Sequence, residues 1–321
     1  MITKTALGKT LTAAGLLAFS TQSTATGSAL VATGGITSFE GTAGGGITPW
    51  ALIAGYGSSE EVQGTAALQM LNVGDYQLRT LGAAVGIYDR VELSVQRQDL
   101  KIGAGIVSNV FNLLTEGAVS NAPGTSIGQD ILGLKVKLLG DAVFEQDSWL
   151  PQLSAGLQYK KNRDMNTDLP LVNGAVPIPG VGVPALLGAT EDAGTDLYLS
   201  ATKLWLGGAM GNNLLLNLTA RMTKANTFGL LGFESATDDG YELEWEGSAV
   251  LLPSPSTAVG AEWRTQSDRL GGLAEEETVT DFFIAYFPDK HWSLTAAYVD
   301  LGSLPFESNA HGFYLSVTVN L

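Results

Sequence analysis

The last stretch of the chain constrains its fold most tightly. Phe313, Leu315, Val317, Val319 and Leu321 fall on one side of an extended backbone, and Tyr314, Ser316, Thr318 and Asn320 fall on the other. Successive side chains of a strand point to opposite faces, so this spacing predicts a strand with one apolar and one polar face. The same period recurs upstream. Leu214, Leu216, Leu218, Ala220 and Met222 oppose Asn217, Thr219, Arg221 and Thr223; Tyr241, Leu243, Trp245, Ala249 and Leu251 oppose Glu242, Glu244, Glu246 and Ser248. Residues 91–98, 152–160 and 257–266 repeat it. In 195–206 the reading is ambiguous, because Lys203 falls on the apolar side.

In water such strands would pack their apolar faces together in a sandwich. Two features favour the inverse arrangement, apolar face outward in lipid. Tyr159, Trp205, Trp245, Trp263, Trp292 and Tyr298 sit on the apolar faces toward strand ends, where interface girdles lie. The polar faces carry rows of Gln, Glu, Lys and Arg that suit a hydrated interior. Mean hydropathy is +0.16 with only 15% charged residues. The one long uncharged stretch of the body, 169–190, is broken by Pro170, Pro177, Pro179 and Pro184 and cannot form a continuous helix. A closed barrel is the other structure that satisfies every backbone group in lipid. The expected fold is therefore all-β, a transmembrane antiparallel up-and-down β-barrel.

The N-terminus reads as a secretory signal peptide over 1–25, with cleavage as late as 29. Lys4 and Lys9 precede the apolar Leu11–Phe19, and Ser23, Thr24 and Ala25 are small. Nine apolar residues are too few to span a bilayer, which takes about 20 in a helix. Residues 30–321 are then a single barrel domain, exported through the periplasm to a Gram-negative outer membrane. Short connections (88–90, 207–212, 253–256, 288–291) alternate with long ones (101–126, 162–194, 224–239, 267–278, 301–312), as periplasmic turns alternate with outer loops. That places Leu321 in the periplasm. About twelve strands are secure; Pro49–Tyr56 as a thirteenth and Leu30–Ile36 as one more give about 14, with 12 plus an N-terminal plug as the alternative.

Several phrases carry a family resemblance: LVATGGITSFEGTAGGGITPWALIAGYG (30–57), VGIYDRVELS (85–94), IGQDILGLKVKLLGDAV (127–143), WLPQLSAGLQYKKNRD (149–164), TDLYLSATKL (195–204), ANTFGLLGF (225–233) and FPDKHWSLTAAYVDLG (287–302). Together they resemble the domain-of-unknown-function 3034 family of proteobacterial proteins. The resemblance spans nearly the whole chain after residue 30 and implies an outer-membrane barrel. It lends no reaction and no ligand.

The net charge of −15 argues against nucleic acid as a partner, and the lack of cysteine excludes disulfides and thiolate metal sites. The expected surroundings are outer-membrane lipid, lipopolysaccharide and the assembly machinery, which reads a terminal strand of this pattern. Strand parity turns Lys135, Lys137, Lys160, Arg221, Arg264, Glu92, Glu242, Glu244, Glu246 and Glu262 inward, with Glu244 and Arg264 as neighbours on consecutive strands. Such charges either fill the lumen with ion pairs or form a constriction that selects solutes. The apolar loop Leu169–Thr190 suits a barrel cap or an apolar solute at the mouth, and Val107, Val110, Phe111 and Leu114 have helical spacing in another outer loop.

These features favour a passive channel or uptake pore for small molecules, with a closed structural barrel as the alternative. A lipid-modifying enzyme built on Ser308 and His311 is the weakest reading, since no residue that would orient the histidine is evident. No enzymatic activity, cofactor or metal is expected.

Overall fold

In a computed structural model, the structure describes residues 34, 36–114, 116–117, 121–167, 180–271, 275–304, 307 and 309–321. Twelve antiparallel strands close into one barrel: β1 (Val62–Val73), β2 (Tyr76–Ile87), β3 (Val91–Ile102), β4 (Thr125–Leu139), β5 (Gln152–Asn162), β7 (Ala193–Ala209), β8 (Asn212–Thr223), β10 (Glu242–Ser254), β11 (Thr257–Arg264), β12 (Val279–Tyr286), β13 (Trp292–Asp300) and β14 (His311–Asn320). Each strand pairs with its neighbour in sequence around the barrel, and β14 closes on β1 with Leu68 opposite Val317. The remaining strands, β6 (Ala189–Glu191) and β9 (Phe233–Ser235), form a separate two-stranded sheet.

The alternation resolves as expected of a lipid-embedded wall. Leu68, Leu81, Phe282 and Phe313 stand on the outer surface, while Gln69, Thr80, Asp281 and Tyr314 beside them are buried. Exposed aromatic residues form two girdles. Tyr88, Trp149, Tyr286 and Trp292 lie at the end that carries Leu321, and Tyr159, Trp245, Trp263 and Tyr298 lie at the opposite end. A closed even-stranded barrel with an apolar exterior between aromatic belts is an outer-membrane barrel.

The expected barrel of about 14 strands is corrected to twelve. Every residue from 36 to 56 is buried, and this segment lies inside the barrel. Its only ladder-like contacts are single bridges, Thr37 with Ala43 and Gly44 with Pro49. Pro49–Tyr56 is therefore not a wall strand, and Leu30–Ile36 lies almost entirely outside the described residues. The physical reason is the pattern of Ala51-Leu52-Ile53-Ala54, which is apolar on both sides. A wall strand here needs one polar face, whereas a segment inside the barrel can bury both.

One connection at the Leu321 end completes the closure. Residues 140–151, a longer turn than the others at this end, fold along the rim. Ala142 and Val143 pack inward in one cluster with Trp50, Leu52, Leu204 and Leu215. On the outer side the same turn caps the ambiguous Lys203. Its Nζ donates to the carbonyls of Glu145 (2.7 Å), Leu150 (3.2 Å) and Asp141 (3.4 Å), so a charge on the apolar face is sealed from lipid. At the opposite end, α1 (Ala104–Leu114) occupies the β3–β4 loop, as its spacing indicated, and α2 (Val183–Leu186) precedes β6.

Placement of the plug is testable by labelling. Ala51→Cys is expected to resist a membrane-impermeant maleimide in the folded protein and to react in urea. Met210→Cys, on an exposed turn, is expected to react in both. Equal reactivity of the two in the folded state would remove the plug from the lumen.

Candidate functional site

The plug has almost no secondary structure, so its backbone polar groups need partners from elsewhere. The inward rows of the wall supply them. Gln69 Nε2 donates to the Thr37 carbonyl (2.6 Å), Gln98 Nε2 to Phe39 (2.7 Å) and Gln152 Nε2 to Ala51 (2.7 Å). The Ala51 amide donates to Thr202 Oγ1 (2.7 Å), and Thr219 Oγ1 donates to the Pro49 carbonyl (2.9 Å). The polar faces of β1, β3, β5, β7 and β8 are thus receptors for a peptide.

Glu40 is the centre of the charge network. Its carboxylate pairs with Lys160, with Arg221 (3.1 Å) and with Arg264 (2.9 Å), each donor on a different strand. Asp196 joins Lys160 (2.7 Å) and Arg221 (3.0 Å); Glu246 joins Arg221 and Arg264; Glu244 lies 3.7 Å from Arg264. Three cations and four carboxyls are enclosed here, all nearly or wholly buried. Arg264 also lies over the Phe228 ring (4.5 Å) and Arg221 over Tyr198 (5.2 Å). Gly156 makes room for that tyrosine, since a Cβ there would sit 2.1 Å from Tyr198 Cζ.

Two further anchors hold the plug. Lys135 Nζ donates to the carbonyls of Ala43 (2.9 Å), Trp50 (3.1 Å) and Leu52 (2.7 Å) and pairs with Glu92 (3.0 Å). Glu92 in turn accepts the amides of Ala43 (3.2 Å) and Ala54 (2.9 Å). Glu262 accepts the Ile47 amide (2.9 Å) and the hydroxyls of Thr48 and Ser248 (2.6 Å each). The glycine run Gly44-Gly45-Gly46 lets the backbone come this close, because a Cβ at Gly45 would fall 1.8 Å from Glu262 Oε1.

At the outer end, the 224–232 loop turns inward. Phe228 packs edge-on against Phe39 of the plug (5.1 Å), and its carbonyl accepts from Lys160 (3.2 Å) and Gln129 (3.2 Å). The loop is held from above by Glu276, which accepts the amide and hydroxyl of Thr227 and the amide of Arg269 (3.4 Å). Burial pushes the Glu276 carboxyl up to about 7, against the lowering effect of those hydrogen bonds. Above the plug lies a cavity of about 110 Å³ with an almost wholly apolar lining. Phe39, Leu100, Val107, Phe111, Leu187 and Phe228 are among its walls, so α1, the segment after α2 and the inward loop all contribute.

Of the residues that parity turned inward, Lys135, Lys160, Arg221, Glu92, Glu244, Glu246, Glu262 and Arg264 are buried within the barrel, and Glu244 does neighbour Arg264. Lys137 sits at the Leu321-end rim, paired with Asp89 (2.6 Å) and Asp141 (3.5 Å). Glu242 is exposed at the outer end of β10. Sequence reasoning missed Glu40, Asp196 and Asp281. A signal for Glu40 existed: it is the only charged residue between Lys9 and Glu60. His311 is exposed and its ring lies 5.7 Å from Tyr298, while Ser308 falls outside the described residues, as do 168–179 of the apolar loop.

Two outcomes follow. Glu40→Gln removes the one carboxylate that all three buried cations share and is expected to cost roughly 3–5 kcal/mol of stability, read as a lowered urea midpoint. An unchanged midpoint would show that Glu40 does not organise the cluster. For Glu276 the folded state favours the protonated carboxyl. Its contribution is therefore full below the ordinary value near 4.5 and is lost as pH rises through about 7. Hydrogen exchange of 224–232, corrected for intrinsic rate, is expected to quicken between pH 6 and 8, and Glu276→Gln to flatten that dependence.

Comparison with known proteins gives the family and some similar solved structures. Among solved structures the chain is similar to the KdgM porin (8% identity, TM-score 0.46, covering 79% of this chain and 98% of that one). It is also similar to the outer membrane protein Omp33 of Acinetobacter baumannii (10%, 0.43, 82% and 100%). A third is the COG4313 outer membrane channel from Pseudomonas putida F1 (13%, 0.40, 85% and 96%). No curated protein matches. The family model described as protein of unknown function (DUF3034) matches residues 33–318, which take in the plug and the twelve wall strands up to the last two residues of β14, and the chain belongs to that family.

Proposed function

We propose that this outer-membrane barrel is an uptake barrel for a small, mainly apolar molecule, which it receives in the cavity above the plug. The observation that carries this reading is the cavity itself. A structural barrel needs only a filled lumen, and here the lumen is filled up to Phe39 and then left open among apolar side chains contributed by three separate outer loops. Cavities of this size lined by Leu, Val and Phe stay dry and take up apolar guests of about one aromatic ring. Onward passage requires the plug to shift, and its anchors are hydrogen bonds and ion pairs that water can replace.

The buried charges argue against an open aqueous channel. Each of the three cations at the level of Glu40 is already engaged by carboxylates of the wall or plug, so they do not present a ring to a passing ion. A closed structural barrel is the second reading, favoured by the same saturation of the inward faces.

The wild-type protein is expected to give no steady ion conductance in planar bilayers and to bind toluene saturably in detergent. Val107→Trp, which fills the cavity, is expected to abolish that binding while leaving the thermal midpoint within a few degrees. Toluene binding that is identical in the two proteins would sink the uptake reading, and a steady ohmic conductance would show that the lumen is open.

A further inference from the structure

The foot of the cavity differs from its walls. Gly46 of the plug, Asp281 and Tyr314 all line it there, and they meet closely. A methyl group built on Gly46 would lie 3.1 Å from Asp281 Oδ2, 3.6 Å from Glu262 Oε2 and 3.9 Å from Tyr314 Cε1. Asp281 is only 2% exposed and Tyr314 6%. Neither Asp281 Oδ1 nor Tyr314 Oη has a partner at full hydrogen-bond distance, although the Ser316 hydroxyl lies beside the phenol and the Glu262 amide beside the carboxyl.

The neighbouring acid does not help, because Glu262, opposite Asp281 in the β11–β12 register, has its own partners in the plug. The lumenal cations are committed elsewhere: Lys135 to Glu92, Lys160 to Glu40 and Asp196, and Arg221 and Arg264 to Glu40 and Glu246. A buried carboxyl oxygen without a donor is costly, and most such atoms in folded proteins are satisfied. Here an acid and a tyrosine that each keep a polar atom without a partner line one apolar cavity on either side of Gly46.

We propose that the molecule taken into this cavity is amphipathic, with a proton-donating head, a hydroxyl or an amine, that hydrogen-bonds Asp281 and Tyr314 while its apolar body lies against Phe39, Leu100 and the outer loops. The proposal rests on the uptake reading and adds the chemical class of the guest. It gives Asp281 and Tyr314 the role of specificity-determining residues. A hydroxyl donates to Asp281 Oδ1 and accepts from Tyr314 Oη; an amine donates to both oxygens. An apolar guest of the same shape leaves both unpaired, so the site discriminates by the hydrogen bonds that the guest must satisfy.

Calorimetric titration of the purified protein with toluene, phenol and aniline tests this. Heats from Val107→Trp, titrated in parallel, remove the contribution of partition into detergent. Phenol, aniline or both are expected to bind at least about tenfold more tightly than toluene, the range gained when a buried acceptor that lacks a partner acquires one. Tighter binding of phenol alone assigns a hydroxyl head, and of aniline alone an amine. Asp281→Leu is expected to abolish the advantage and leave toluene affinity within about twofold. If that variant does not fold, Tyr314→Phe, which keeps the ring, serves with an expected partial loss. Toluene binding as tightly as phenol and aniline overturns the head-group assignment while the uptake reading stands. No saturable binding of any of the three overturns the uptake reading and the assignment with it.

Discussion

Glu40 is the interaction on which the rest of the lumen depends. Lys160, Arg221 and Arg264 project into the barrel from three strands, and among the described residues it is the plug that brings one carboxylate within reach of all of them. Without that residue, three positive charges would share a low-dielectric interior with wall carboxylates, none of which pairs with all three. Buried charges persist in proteins where they are paired and hydrogen-bonded. The barrel and its plug are thus two halves of one electrostatic unit, and the plug is a structural component of the lumen.

That constraint explains the distribution of the other polar groups. A peptide without regular structure must find partners for its amides and carbonyls. Glutamines suit the task because one side chain can donate and accept along an extended backbone. Gln69, Gln96, Gln98 and Gln152 each donate to a plug carbonyl, while Lys135 gathers three carbonyls at once. On β4 and β5 the polar stripe runs on past the plug to the inward loop, where Gln129 and Asn162 donate to the carbonyls of Phe228 and Leu230. On β1 to β3 the inner surface beyond Phe39 becomes apolar, and there the cavity begins.

Much of this was legible in the sequence, and the limits have physical causes. Alternation exposed the wall because lipid and lumen impose opposite demands on successive residues. It placed Lys160, Arg221 and Arg264 inside correctly, and it misjudged the reach of Glu242 because parity gives a face and not a depth. Lys203 looked anomalous because the turn that caps it is remote in sequence. The plug lacked a period, so Pro49–Tyr56 passed for a strand on hydropathy alone. Asp281 went unnoticed in a short strand rich in phenylalanine, and the inward turn at Phe228 depends on positive φ angles at Thr227 (43°) and Phe228 (63°) that no side-chain pattern announces.

The plugged lumen is tested most directly by a cross-link between plug and wall. Thr48 Oγ1 and Ser248 Oγ stand 2.6 Å apart, from residues two hundred positions distant in the chain. Cysteines at both positions are within reach of a disulfide on small side-chain adjustment. With the plug seated as described, Thr48→Cys/Ser248→Cys forms that bond nearly completely on folding and oxidation, while each single variant stays unlinked. Two free thiols in the folded, oxidised double variant would contradict a plug seated at this point in the barrel.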